Sequence, residues 1–197
     1  MDKTAAPALL PIFRSHQQAE LLALLLGNPD SESSITELAT RSGMAYASAH
    51  REVERAVVAG LAVSRNVGKT RLIRADTDSP YYAGLADVLV KAFGPPQVLA
   101  RALRGIAGID RAVIHGSWAA RHAGQPADRP VGDIDVILLG DPDRDDVFNR
   151  LGDVESSLGR PVQVSFRPSD WFETGTGAFH DTVLSQPVVE VALTTDV

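Results

Sequence analysis

The sequence predicts an α/β protein of two domains, the first α+β and the second a small α/β layer domain. Three observations lead there. The first eighty residues read as three helices and then a hairpin. From Asp110 onward, strand-like and helix-like segments alternate with short connections. Between them, helical patterns with proline stops bridge the halves without a loose linker. The expected boundaries are 1–76, 77–108 and 109–197.

A chain of 197 residues can bury a core as one domain or as two small ones. Its 44% hydrophobic and 22% charged content is that of an ordinary soluble globular protein. With no cysteine, disulfides and thiolate metal sites are excluded, which fits a reducing cytoplasm. No apolar run approaches the roughly 20 residues of a membrane helix. The opening MDKTAAPALLPIFR is a poor signal peptide. A cytoplasmic location without a membrane partner is therefore expected.

A net charge of −6 argues against a uniformly basic nucleic-acid coat, but the charge is unevenly spread. From Arg41 to Arg74, seven basic residues stand against Glu52 and Glu54, a net +5. A basic stripe within an acidic chain is what a DNA-reading face requires.

In order, HQQAELLALLLG (16–27) gathers Leu21, Leu22, Leu24, Leu25 and Leu26 in one helix stopped by Gly27 and Pro29. SITELATRSG (34–43) starts with Ser34 and Glu37 at capping-box spacing. After the turn GMAY, Ala49, Val53, Ala56 and Val57 recur at helical spacing until Gly60. LAVSRNVGKTRLIRAD (61–76) is two β-leaning runs around a turn at Asn66–Lys69. A helix, a turn, a second helix and a basic hairpin resemble the winged helix-turn-helix of bacterial regulators of the ArsR and MarR type. The likeness covers about 16–76, carried by ITELATRSGMAYASAHREVERAVVAGLA and the Arg65–Arg71 hairpin. It implies operator DNA as partner, bound by a homodimer on a two-fold site, although some winged helices bind proteins instead. Base edges would be reached from the N-terminal outward face of the second helix: Tyr46, Ser48, His50 and Arg51, with Arg55 a turn further. Arg65, Lys69 and Arg71 would lie against phosphates or in the minor groove.

DTDSPYYAGLADVLVKAFGPP (76–96) and PQVLARALRGIAG (96–108) read as helices, the latter turning Val98, Leu99, Leu103 and Ile106 inward. Beyond them, IDRAVIHG, DIDVILLG and PVQVSF read as strands, with VVEVAL as a possible last one. SWAARHAG reads as a short helix, and PDRDDVFNRLGDVESSLG as a longer one with Phe148, Leu151, Val154 and Leu158 on its inner side. SDWFETGTGAFHDTVLSQ mixes helix and loop.

Asp133 and Asp135 alternate with apolar residues, so on a strand both project from one face. Two such carboxylates repel each other and lose hydration, and a divalent cation between them removes both costs. Mg²⁺ is commonly held by one or two carboxylates plus substrate phosphates. Gly116-Ser117 falls where a strand ends and a helix begins, so its amides and the Ser117 hydroxyl are placed to hold a phosphate. Gly116 lets a ligand approach the backbone.

Gly116-Ser117 followed by Asp133-Ile134-Asp135 resembles the nucleotidyltransferase domain of the DNA polymerase β superfamily, especially its MNT-type bacterial members; the likeness spans roughly 96–195. It implies that Ser117 contacts the terminal phosphates of a nucleoside triphosphate. It also implies that Asp133 and Asp135 are catalytic and bind Mg²⁺ (or Mn²⁺). Two departures are visible. Fifteen residues, 118–132, separate the motifs, more than the family's usual spacing, and HAGQPADRP can loop out the excess. The family's third carboxylate falls at Gln163, a neutral amide that cannot act as a base; Asp170 replaces it only if the chain folds back.

His115, His122 and His180 fit no helical metal-ligand spacing and read as structural or exposed. Arg121 reads as an exposed helix position, with a phosphate contact the lesser alternative. Trp118 and Trp171 read as packing residues, and the DPDRDD acids as a helix cap. The resulting expectation is a DNA-binding transcriptional regulator whose second domain binds nucleotide and Mg²⁺. The alternative is an active transferase that modifies a protein, RNA or small-molecule acceptor, including an antitoxin acting on a toxin partner. A third reading makes the second domain a dimerisation scaffold.

Overall fold

The structure, a computed structural model, describes residues 13–125 and 131–193. The opening segment before Phe13 and the Pro126–Pro130 part of HAGQPADRP lie outside the described residues. The protein is mixed α/β with two sheets, and its contacts divide it into two compact units, Met1–Gly94 and Pro95–Val197. The division falls inside the 77–108 segment. A proline after Gly94 keeps that residue out of helical geometry, and its backbone is extended, so one helix ends there and another begins.

In the first unit, α1 (His16–Leu26) is capped by the Ser15 side chain, which accepts from the Gln18 amide. β1 (Ser33–Ser34) leads into α2 (Ile35–Arg41), where Ser34 and Glu37 form the reciprocal capping box. α3 (Tyr46–Val58) buries Ala49, Val53 and Ala56. β2 (Ala62–Val67) and β3 (Thr70–Ala75) pair antiparallel, and the sheet order is β1-β3-β2. Pairing runs through Asn66↔Arg71 and Val67↔Thr70, so the turn is Gly68-Lys69 alone, tighter than the sequence suggests. Gly68, at φ +59°, supplies the left-handed residue such a two-residue turn needs. β1 was not expected, because Ser-Ser has no apolar alternation to mark it. α4 (Tyr82–Phe93) packs on α1 and donates Leu89 and Phe93 to a core with Leu21, Leu26, Leu38 and Ile73.

The second unit begins with α5 (Pro95–Leu103), which stops short of the expected 108, although Ile106 is still buried. β4 (Ile109–His115), α6 (Gly116–His122), β5 (Ile134–Gly140), α7 (Arg144–Leu158) and β6 (Val162–Arg167) follow. α8 (Trp171–Thr174), α9 (Ala178–Ser185) and β7 (Val189–Glu190) complete it. The sheet runs β6-β5-β4-β7; β5 and β6 are parallel, joined through α7, and the other pairs are antiparallel. Val113, Ile137 and Leu139 face Trp171 and Val183. The alternate residues Ala112, Ile114, Val136 and Leu138 are buried as well, so the sheet is covered on both faces.

Phe148 is a correction. It was expected inside, but it is 54% exposed, and Val147 takes the buried place in line with Leu151, Val154 and Leu158. One residue is about 100° around a helix, which turns Phe148 out to rest edge-on against Phe166 at 5.9 Å. Asp143 caps α7 by accepting the Asp145 and Asp146 amides, as expected of the acidic run. Among the described residues no helix is long and apolar enough to cross a membrane.

Candidate functional site: a glycine corner beside two carboxylates

β4 and β5 pair in a register that sets His115 opposite Asp135, and β6 places Gln163 on the other flank of Asp135. Side chains alternate along a strand, so Asp135 begins the row that continues as Ile137 and Leu139. The row therefore changes from apolar to acidic at the start of β5. Asp133 lies one residue before the strand rather than within it, and it is half-buried like Asp135. Burial raises the Asp135 carboxyl above the usual carboxylate range, the Asp133 charge adds to that rise, and His115 partly opposes it. For His115, burial depresses the imidazole, aided by Arg167 and opposed by Asp135.

Gly116 turns the chain from β4 into α6 at φ +71°. A β-carbon there would collide with Asp135 Oδ2, so the carboxylate lies directly over the glycine. His115 occupies the N-cap position of α6 without making a side-chain capping bond. Ser117 is exposed beside it, and Trp118 is buried and stacked on His122 at 5.0 Å. Gly116, Asp133 and Asp135 thus meet at one corner, with Ser117 on its exposed side.

Gln163 is exposed, in register with Asp135. Asp170 lies beyond Arg167, at the opposite end of β6, and its carbonyl accepts from Glu173 and Thr174 in α8. It does not fold back beside Asp135. Among the described residues no group of three or more His, Cys, Asp or Glu side chains is placed to share a metal ion. The sequence reading did not pick out Phe179, whose ring sits 5.6 Å from that of His115. Nor did it single out Arg167, which lies over the Trp171 and Phe179 rings. Neither is adjacent in sequence to the Gly-Ser or Asp-x-Asp motif, so nothing local marked them. Of the three histidines read as structural or exposed, His180 is buried, whereas His115 and His122 are partly covered.

In the first unit, Tyr46 and Arg51 are exposed on α3, with Ser48 and His50 partly covered. Arg51 donates to Ser48 Oγ at 3.0 Å. Three of the expected DNA contacts are engaged by acids. Arg55 pairs with Glu52, and Arg71 with Glu54 across to α3. Arg65 reaches Glu32, its Nε donating to Oε1 at 2.7 Å. The Arg65 guanidinium holds Glu32, and that of Arg71 holds Glu54, below the ordinary carboxylate range. Arg51 and Lys69 form no ion pair among the described residues. Comparison with known proteins finds no match, whether with a family model, a curated protein or a solved structure.

Proposed function

We propose that the protein is a DNA-binding regulator whose second unit binds a nucleoside triphosphate with a divalent cation. The observation that carries the reading is the Gly116 corner, where a half-buried carboxyl raised by burial and by its neighbour Asp133 lies over a glycine backbone. Two hard oxygen donors short of positive charge fit Mg²⁺ (or Mn²⁺), with phosphate oxygens filling the remaining coordination. Asp133 and Asp135 would hold the ion, which supplies charge neutralisation for the phosphates. The absence of a side chain at Gly116 lets the Asp135 carboxylate close over the backbone, and Ser117 beside it offers an exposed hydroxyl donor for a phosphate oxygen. These features support the likeness to the nucleotidyltransferase domain of the DNA polymerase β superfamily.

Binding is favoured over transfer by Gln163. The flank of Asp135 where a third carboxylate would activate an acceptor carries a neutral, exposed amide. DNA recognition is supported by the exposed Tyr46 and Arg51 on α3 and by the basic hairpin of β2 and β3, an arrangement that suits a winged helix-turn-helix. A homodimer on a two-fold operator follows from the same likeness. Regulation then requires the nucleotide to bind the DNA-competent and DNA-free forms with different affinity.

The experiment is a pair of titrations on the full chain. Calorimetry with Mg²⁺ and each nucleoside triphosphate should give binding that Asp133→Asn and Asp135→Asn abolish. Fluorescence anisotropy with a duplex selected from a random library should give an affinity that shifts when the same nucleotide is added. Nucleotide bound with unchanged DNA affinity overturns the regulatory coupling. Labelled nucleotide appearing on an acceptor overturns the preference for binding over transfer.

A further inference from the structure

The corner has an aromatic wall. Phe179, in the first turn of α9, leaves 41% of its surface exposed, although its neighbour Trp171 is only 9% exposed. Its ring is fixed on three sides. The Arg167 guanidinium lies over it, 5.1 Å from the centroid. Trp171 tilts against it at 5.7 Å and 39°. His115 meets it edge-to-face at 5.6 Å and 79°. Arg167 is anchored in turn, because its Nη1 donates to the Phe166 carbonyl at 2.8 Å. The structure places no carboxylate against it among the described residues. His115 is the cross-strand partner of Asp135, so Phe179 touches the side chain that stands next to the acidic corner.

A large apolar ring held rigid and half in solvent beside a charged corner exposes surface that a lone domain gains by covering. These neighbours still leave part of the ring to solvent. A flat π-surface stacks there at little conformational cost, because the ring is already immobilised. We infer that the exposed part of the Phe179 ring, braced by Arg167 and standing beside His115, is the platform on which the base of the bound nucleotide stacks. The inference rests on the reading of the Gly116–Asp133–Asp135 corner as a nucleotide site. It adds that the ligand is recognised through its base, and that purines, with more ring to overlap, bind better than pyrimidines.

Inorganic triphosphate separates the two claims, since it carries the phosphates and has no base. The full chain is titrated with Mg²⁺ and ATP, and separately with Mg²⁺ and inorganic triphosphate. Phe179→Leu keeps an apolar side chain for packing, and Phe179→Trp keeps an aromatic face. Phe179→Leu should weaken ATP about tenfold, the usual worth of one base-on-ring stack, and leave inorganic triphosphate unchanged. Phe179→Trp should retain ATP affinity, and wild-type protein should prefer ATP and GTP to CTP and UTP. Equal weakening of both ligands by Phe179→Leu, or no weakening of ATP, overturns the platform while leaving the phosphate corner standing. If wild-type protein binds neither ligand, the corner reading fails and the platform falls with it.

Discussion

Replacing Gly116 by alanine probes the corner with a single methyl group. At φ +71° the residue is in the left-handed region, where an L side chain costs about 1–2 kcal/mol. The new β-carbon would also collide with Asp135 Oδ2, so the carboxylate has to rotate away. A side chain forced about 30° off its rotamer costs a further 0.5–1.5 kcal/mol, roughly. Gly124 is the internal reference: its φ is +79°, and a β-carbon there meets nothing within 4 Å. Gly124→Ala should therefore show the backbone cost alone, and Gly116→Ala about 1 kcal/mol more. Both tryptophans, Trp118 and Trp171, lie in the second unit, so urea unfolding followed by tryptophan fluorescence reports that unit. Repeating the pair in an Asp135→Ala background closes a double-mutant cycle. With the obstructing oxygen gone, the excess cost of Gly116→Ala should vanish. An excess that persists without Asp135, or none in the first place, refutes the overlap of carboxylate and glycine on which the corner depends.

Asp135→Asn should stabilise the second unit at neutral pH in metal-free buffer. The folded carboxyl is raised above its unfolded value, so its charged form costs stability above that range, and the gain should disappear as pH falls through the raised folded value. A gain that stays constant down to strongly acidic pH would show that burial of the charge is not its cause. Glu32→Gln removes the partner of Arg65 and should steepen the dependence of log affinity for DNA on log salt by about 0.9, the release from one more phosphate. An unchanged slope places Arg65 away from the phosphates. Ser34→Ala removes the capping box of α2 and should cost about 0.5–2 kcal/mol, read by far-ultraviolet circular dichroism of urea unfolding, since the first unit holds no tryptophan. Full stability in that variant would show that the cap contributes nothing.

Local chemistry was legible in the sequence, and long-range pairing was not. Ser34 and Glu37 could be read as a capping box because both partners lie within four residues. Gly68 marked the hairpin because only a few residue types adopt its φ readily. The strand alternation around Ile134–Gly140 put Asp135 on a defined face, and the Gly116–Asp135 overlap followed from strand pairing that the motif alone did not specify. Phe148 was misplaced because a helix of mean apolarity this low offers two neighbouring faces, and Val147 fills the inner one more completely. The ion pair of Arg65 with Glu32 spans 33 positions, and Phe179 lies 64 beyond its ring partner His115. A basic stripe counted along the chain therefore overstated the free positive charge. Only folding revealed that three of its arginines already face carboxylates.

That difference in charge compensation sets how the two units can respond to ligands. In the first unit, Glu52, Glu32 and Glu54 would compete with any phosphate for Arg55, Arg65 and Arg71. Exchange between two anionic partners, at exposed positions and under salt screening, yields little net free energy. On the proposed reading, affinity for DNA would come chiefly from Arg51 and Lys69, which form no ion pair among the described residues, and from Tyr46. The second unit differs in kind. Asp135 is half-buried, repelled by Asp133 and helped only by a His115 imidazole that burial itself disfavours as a cation. A divalent ion there would remove an existing penalty, and its binding would gain what the ligand-free unit lacks. Gln163 adds no third charge to that corner, so it neither increases the repulsion nor supplies a base. On the proposed reading, a DNA face already paired with acids and a corner short of positive charge would divide the labour of a regulator between the two units. The ligand with more to gain biases the equilibrium in which the other takes part.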